Sequence, residues 1–292
     1  MRPTLATLVG GSAILMWGGL AALTATAGAV PPLLLTALTF AIGTVVLLLA
    51  SALRGVRLLA LARQPLRVWL LGIGGLFGYH VLYFTALQNA PTVEASLIAF
   101  LWPLLIVLLS GLLPGERVRW FHILGGIAGF AGSAMLMTGG RFDGFRSEYA
   151  LGYAAALGCA LTWSGYSVLS RRLGQVPSDI VGLFCGATAV LALIAHGVTG
   201  EATRWPEGAQ WLAVIGLGIG PVGLAFVTWD IGVKRGDIRL LGVASYGAPL
   251  ISTLLLIALA MAPGSSTVLA ACALIVGGAV IASGDSLRRR KG

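Results

Sequence analysis

The chain has 292 residues, of which 58% are hydrophobic and only 10% are charged. Soluble domains carry about 25% charged residues, so this composition excludes a soluble protein and predicts an all-α integral membrane protein surrounded by a lipid bilayer. The net charge of +9 is divided among short basic clusters between apolar runs, without the contiguous basic face that a nucleic-acid partner requires.

Ten apolar runs, separated by Pro, Gly and charged residues, predict ten transmembrane helices. In chain order they are 5–29, 32–53, 68–89, 92–113, 120–138, 149–170, 180–198, 210–234, 238–261 and 267–286. Each approaches the roughly 20 apolar residues that a helix needs to cross the hydrocarbon core. Lys and Arg remain on the cytoplasmic side, and only Arg141, Arg146 and Arg204 fall on the other side of this topology. Both termini are therefore predicted to be cytoplasmic.

The two halves of the chain repeat one pattern. A shift of 146 residues places Trp17 on Trp163 and Pro103 on Pro249. Each half holds five predicted helices, an odd number, so the second half enters the membrane from the opposite side. Transporters built from such inverted repeats bind their solute near the midplane, between the repeats. The predicted units are a first repeat at 1–140, an external linker at 141–148, and a second repeat with a basic cytoplasmic tail at 149–292.

A long run in the first half carries a family resemblance. Residues 83–103 read YFTALQNAPTVEASLIAFLWP, and Gly115-Glu116 follow the fourth predicted helix. These runs resemble the EamA family of the drug/metabolite transporter superfamily. The resemblance covers nearly the whole chain and implies a multi-pass transporter of the bacterial inner membrane with two five-helix repeats. The second repeat departs from the pattern, because Ala262 stands where the first has Glu116.

Aromatic side chains near the bilayer midplane are the candidate solute site. Trp17, Trp102 and Trp163 lie about 10 to 14 residues into their predicted helices, close to mid-membrane at 1.5 Å per residue. Tyr79 and His80 fall on the third helix, where an ionisable group is costly unless it faces water or a partner. Two alternatives stay open: the tryptophans only pack against neighbouring helices, and the histidine is neutral and hydrogen-bonded to a tyrosine.

Two short runs are similar to those of the aromatic amino-acid exporters of the family: Tyr79-His80-x-x-Tyr83 and Phe100-x-Trp102-Pro103. The candidate substrate-binding residues are Trp17, Tyr79, His80, Tyr83, Phe100, Trp102, Trp163, Tyr166 and Tyr246. Pro103 and Pro249 each remove a helical hydrogen-bond donor and are the candidate hinges. A kink that serves only packing is the alternative for both.

Four other positions are interpreted more plainly. Glu94 lies in the first turn of the fourth helix, near the outer face, where the helix dipole favours a carboxylate. It is interpreted as a structural or gating residue, with a coupling site as the alternative. Asp230 precedes Lys234 by one turn, which predicts a local ion pair near the cytoplasmic end. Trp229 is interpreted as an interfacial anchor, and His196 as a residue without a special role.

An aromatic amino-acid zwitterion suits the predicted site, since rings stack on rings and also attract an ammonium group. No P-loop occurs in the sequence, so the chain itself does not use ATP. Facilitated diffusion is favoured over proton antiport, because mid-membrane offers His80 and no acid. Export of other amino acids or drug-like metabolites is the alternative, and an intramembrane enzyme is remote without HExxH or GxSxG motifs. The sequence predicts a monomer without metal or cofactor.

Overall fold

A computed structural model of the protein describes residues 1–142, 144–259 and 264–283. Besides a short helix at Leu58–Ala62, the chain forms ten long helical segments within these ranges, which we label in chain order. They are α1 (Pro3–Ala27), α2 (Pro32–Leu53), α3 (Leu66–Asn89), α4 (Thr92–Ser110), α5 (Trp120–Thr138), α6 (Ala150–Arg172), α7 (Ser178–Thr199), α8 (Gln210–Arg235), α9 (Ile238–Ala258) and α10 (Ser266–Ala282). Ala262, the end of the tenth predicted span and the basic tail lie outside the described residues.

Eight of these segments are long and apolar enough to cross a membrane, which confirms the predicted all-α membrane class. The other two are α6, a helix of 23 residues, and α10, a shorter apolar helix of 17 residues. Proline residues begin several segments, as Pro3 and Pro32 do in the first turn of α1 and α2, where no helical donor is lost. Gly139 and Gly200 end α5 and α7 in the left-handed conformation that favours glycine.

Five segments are interrupted near their middle. The α-helical parts are Pro3–Gly18 and Leu20–Ala27 in α1, Leu66–Ile73 and Tyr79–Asn89 in α3, Thr92–Ala99 and Trp102–Ser110 in α4, Gln210–Leu217 and Ala225–Arg235 in α8, and Ile238–Ala244 and Gly247–Ala258 in α9. A π-helical turn fills the break at Gly74–Gly78 in α3 and at Gly218–Leu224 in α8. The 146-residue shift carries the first π turn into the second. The breaks in α4 and α9 likewise precede Pro103 and Pro249 by a few residues.

The helices pack in pairs drawn from the two halves: α1 with α8, α3 with α6, α2 with α7, and α5 with α10. Glycine permits the closest of these contacts, because small residues let helix backbones approach. A Cβ atom added at Gly10 would lie 2.8 Å from the Cα of Gly232, and one added at Gly125 would lie 2.5 Å from the carbonyl oxygen of Gly278. The paired packing brings the midpoints of α1, α3, α4, α6 and α8 together.

Candidate functional site

Trp17 on α1 lies at the centre of a cluster of aromatic rings. Its ring centroid is 6.1 Å from that of Trp102 on α4, 5.8 Å from that of Trp163 on α6, and 5.2 Å from that of Trp229 on α8. Most of these pairs meet edge to face, which is a favourable geometry for aromatic rings. We call the set Trp17, Tyr79, Trp102, Trp163, Phe226 and Trp229 the central aromatic cluster.

Hydrogen bonds fix two indoles of the cluster. Trp17 Nε1 donates to the backbone oxygen of Pro221, 3.0 Å away in the π turn of α8, so the irregular backbone supplies an acceptor at mid-helix. Trp229 Nε1 donates to Ser167 Oγ at 3.0 Å. A buried indole N–H needs such a partner, and each bond also sets the direction in which its ring points.

Trp229 and Phe226 were not among the sequence-predicted site residues. Trp229 has no exposed surface and is 5.8 Å from Trp102, so its interpretation as an interfacial anchor is wrong. The sequence repeat indicates that both residues belong to the site, because the 146-residue shift places Phe226 on His80 and Trp229 on Tyr83. The second half thus brings its own copy of the α3 face to the cluster.

The three residues of the α3 run do not share one environment. Tyr79 is 5.7 Å from Trp163, and its ring is stacked on that of Tyr83 at 6.1 Å. His80 contacts α2, where its ring lies edge to face with that of Phe40 at 5.1 Å. Its Nδ1 is 2.7 Å from the backbone oxygen of Leu76; an oxygen there only accepts, so Nδ1 carries the proton.

Phe100 and Tyr246 occupy equivalent positions at the breaks of α4 and α9. Phe100 joins the cluster through Trp102, 6.1 Å away, and touches Tyr246 on its other side at 6.1 Å. The Tyr246 hydroxyl accepts a hydrogen bond from the backbone N–H of Leu104 at 3.2 Å. Tyr246 is fully buried and contacts Phe100, so it is placed to hold the broken segment behind the cluster.

Burial differs along the bundle. Tyr166 and Trp229 are buried and lie toward the end where α6 and α8 finish in arginine and lysine. We call this the basic end. Tyr79 and Tyr83 are half-buried and lie toward the opposite end. The central aromatic cluster is therefore covered more completely on its basic side.

An ionic network closes the basic end. Glu116, after α4, has one carboxylate oxygen 2.5 Å from an Arg171 guanidinium nitrogen at the end of α6, and the other 3.4 Å from Arg239 at the start of α9. Arg171 also donates to the backbone oxygens of Val233 and Gly236, both at 2.8 Å. We call Glu116, Arg171 and Arg239 the ionic closure. It joins α4, α6, α8 and α9 across the two halves.

A second ion pair lies deeper in the same end. Lys234 Nζ is 2.7 Å from Asp230 Oδ2, and the side chains are only 4% and 2% exposed. This confirms the predicted local pair, but its burial exceeds that of a surface contact. Lys234 Nζ also donates to the backbone oxygen of Val176 at 3.0 Å. A cavity of about 10 Å³ adjoins the pair, and Tyr166 also lines it.

The opposite end is held by different contacts. Glu94 on α4 accepts a hydrogen bond from the hydroxyl of Tyr153 on α6. Glu201 accepts from the backbone N–H groups of Leu33 and Leu34 at the start of α2, both at 3.3 Å, as a carboxylate does at a helix N-terminus. His196 Nδ1, 2.6 Å from Glu201, helps to hold that carboxylate. His196 therefore has a structural role that its sequence position did not indicate.

A wider cleft of about 460 Å³ opens at the opposite end, between the α1–α2 and α7–α8 connections. None of the predicted site residues lines it. In residues 1–142, 144–259 and 264–283, no group of three or more His, Cys, Asp or Glu side chains is placed to hold a metal ion. The rings that meet at the bundle centre are those of the central aromatic cluster, and His80 lies at its edge beside Tyr79.

Comparisons with known proteins converge on one family. The model of the EamA-like transporter family matches residues 5–138 and 150–284. The aromatic amino acid exporter YddG of Ancylobacter novellus is 56% identical over 285 residues, covering 97% of this chain and 98% of that protein. A probable terminal-alkyne amino-acid exporter of Streptantibioticus cattleyicolor is 28% identical over 209 residues, covering 72% and 68%. A crystal structure of a chain with 55% identity superposes with a TM-score of 0.92, covering 97% and 98%.

Proposed function

The chain belongs to the EamA-like transporter family, and from that premise we propose that it exports aromatic amino acids by alternating access at the central aromatic cluster. The observation that carries the proposal is the meeting of Trp17, Trp102, Trp163 and Trp229 at the bundle centre. The relative that is 56% identical, an aromatic amino acid exporter, supports the same substrate class.

We propose a topology of ten transmembrane helices in two inverted repeats, residues 1–140 and 149–292, with both termini in the cytoplasm. The two separate family matches, one in each half, support the division. So do the π turns at equivalent positions of α3 and α8. The basic end then faces the cytoplasm, as the retention of Lys and Arg on that side requires. In this topology the ionic closure supports a conformation closed toward the cytoplasm.

In this proposal the solute ring inserts among the rings of the cluster, next to Tyr79 and Trp163. Their faces attract the α-ammonium group, and the hydroxyl of Tyr83 is a donor for the carboxylate. His80 Nε2 carries no proton while Nδ1–H donates to Leu76, so it is an acceptor for the α-ammonium group. Tyr166 and Tyr246 back the site, and Phe100 completes its wall.

The breaks before Pro103 and Pro249 are the proposed hinges. Each lies beside an aromatic residue at the cluster or behind it, so a change of helix angle moves the wall of the site. The proposed transport is uniport, because Asp230, a buried acid next to Tyr166, is neutralised by Lys234. The proposed transporter is a monomer. Proton antiport is the second mechanism in this proposal.

Counterflow in liposomes tests the proposed function. Purified protein is reconstituted with unlabelled tryptophan inside and labelled tryptophan outside, and accumulation of the label is followed. We expect accumulation that unlabelled phenylalanine and tyrosine inhibit, and that Trp102→Ala lowers by at least about tenfold. Trp211→Ala, on the surface of α8, is the matched control and leaves exchange unchanged. Accumulation that ignores aromatic competitors would refute the substrate class, and export of other amino acids would replace it.

A further inference from the structure

The buried pair of Asp230 and Lys234 is unusual for its position. Ionisable groups within membrane segments are rare and mark functional positions. A buried ion pair gives little net stability, because desolvation offsets the attraction and a neutral replacement is often as stable. The equivalent positions in the first half hold Phe84 and Gln88. The first half therefore has no equivalent of this charged pair at these positions. The pair lies at the cytoplasmic end, where an exporter meets its solute.

Two buried polar groups lie next to each other at the pair. Tyr166 OH makes no hydrogen bond of good geometry among the described residues, and Asp230 Oδ2 has the Lys234 ammonium, 2.7 Å away, as its partner. Both residues are buried, and both line the cavity of about 10 Å³, room for about one water molecule. Tyr166 also links this cavity to the cluster, because its ring centroid is 5.3 Å from that of Trp163.

We propose that Asp230 and Lys234 form a cytoplasmic loading site for the charged groups of an α-amino-acid zwitterion. This inference rests on the proposed function. When the ionic closure parts and the cavity widens, the solute ammonium replaces Lys234 beside Asp230. The solute carboxylate replaces Asp230 beside Lys234. The exchange leaves no buried charge unpaired, and the solute side chain points past Tyr166 to the aromatic cluster.

The proposed site discriminates by charge. An aromatic amine engages Asp230 and leaves Lys234 without a counter-ion, whereas an aromatic acid leaves Asp230 without one. An unpaired buried charge is strongly unfavourable, so both analogues are rejected relative to the zwitterion. Neutralising both residues together removes this penalty, and it also avoids the isolated charge that a single substitution would create.

The test is competition in everted membrane vesicles, whose cytoplasmic face is outward. Tryptamine and indole-3-propionate compete with labelled tryptophan in exchange by the native chain and by Asp230→Asn/Lys234→Met. We expect the preference for tryptophan over each analogue to fall by roughly tenfold or more in the double variant. The matched control is Arg54→Gln/Asp179→Asn, which neutralises a more exposed pair at the same end and keeps the native preference.

A reversed pair, Asp230→Lys/Lys234→Asp, is the second variant, for the case in which the neutral variant does not fold. It keeps both charges and is expected to keep the preference for tryptophan. Ligand-induced thermal stabilisation of the purified variants gives the same comparison without transport. An unchanged preference in a folded neutral variant would overturn the loading site while leaving the proposed function intact. Absence of tryptophan exchange by the native chain would overturn the proposed function itself.

Discussion

In the proposed topology, removal of the Glu116 charge should shift the protein toward its cytoplasm-open conformation. Glu116 contacts two guanidinium groups, and its side chain is 13% exposed. A hydrogen bond to a charged group contributes about 1.5–3 kcal/mol. Glu116→Gln keeps one acceptor oxygen, and Arg171 keeps its two backbone acceptors. We therefore expect a loss of about 1–2 kcal/mol from the closed conformation, a factor of roughly 5 to 30 in the equilibrium.

The direction of the shift follows from the repeat. The positions equivalent to Arg171 and Arg239 are Ala25 and Val93, so closure of the external end gains no matching ion pairs. The substitution weakens one closure and leaves the other unchanged. The population lost from the cytoplasm-closed conformation therefore moves to the cytoplasm-open one.

The assay is the reaction rate of a cysteine introduced at Leu173, which lines the small cavity at the basic end. Cys159, Cys185 and Cys272 are first replaced by alanine, and a membrane-impermeant maleimide is added to everted vesicles. We expect labelling to be 5 to 30 times faster in Glu116→Gln. The control Glu148→Gln breaks an exposed external pair and leaves the rate unchanged. Equal labelling rates in the Glu116→Gln variant and in the protein with native Glu116 would refute the reasoning.

Two further predictions concern packing and the central cluster. Gly278→Ala should lower the free energy of unfolding by about 1–3 kcal/mol, because the added Cβ would lie 2.6 Å from a backbone oxygen of α5. The measurement is thermal unfolding. Gly277→Ala is the control, because a Cβ added there meets nothing within 4 Å. Trp17→Phe leaves the backbone oxygen of Pro221 without its donor and should lower tryptophan counterflow several-fold, whereas Trp211→Phe should not. Equal unfolding of the two alanine variants, or full counterflow in Trp17→Phe, would contradict these accounts.

The helical membrane class could be predicted because it depends on local composition. Helix starts at proline and ends at glycine followed from the same local rules, as at Pro32 and Gly139. Helix ends without such a signal were predicted less accurately. The fourth segment stops at Ser110, although apolar residues continue to Leu113 and the prediction ended there. The chain turns there because Gly111 and Pro114 favour turns over helix, which counting apolar residues does not weigh.

The aromatic cluster was predictable only in part. Mid-helix tryptophans such as Trp17 and Trp102 stood out by their depth, whereas Trp229 was assigned to the interface because tryptophans often lie there. The 146-residue shift makes Trp229 equivalent to Tyr83 of the first half, and this equivalence is the sequence signal for its place in the cluster. The π turn that presents the Pro221 oxygen to Trp17 depends on tertiary packing and has no clear sequence pattern.

The charged contacts at the basic end were the least predictable. Asp230 and Lys234 form a pair that helical spacing suggested, but the residues around the pair come from α3, α6 and α7, which sequence spacing does not bring together. Glu116 and Arg171 are 55 residues apart and meet only because the two halves pack together. Such long-range pairing depends on the fold, so the ionic closure emerged from the structure alone.

A reversible cross-link across the ionic closure tests the alternating-access account most directly. Glu116→Cys and Arg171→Cys are combined in the chain without its native cysteines, and a bifunctional methanethiosulfonate joins the two thiols. The account predicts that cross-linking abolishes tryptophan counterflow, that dithiothreitol restores it, and that a monofunctional reagent of similar size does not abolish it. Counterflow that continues at the native rate in fully cross-linked protein would contradict the account.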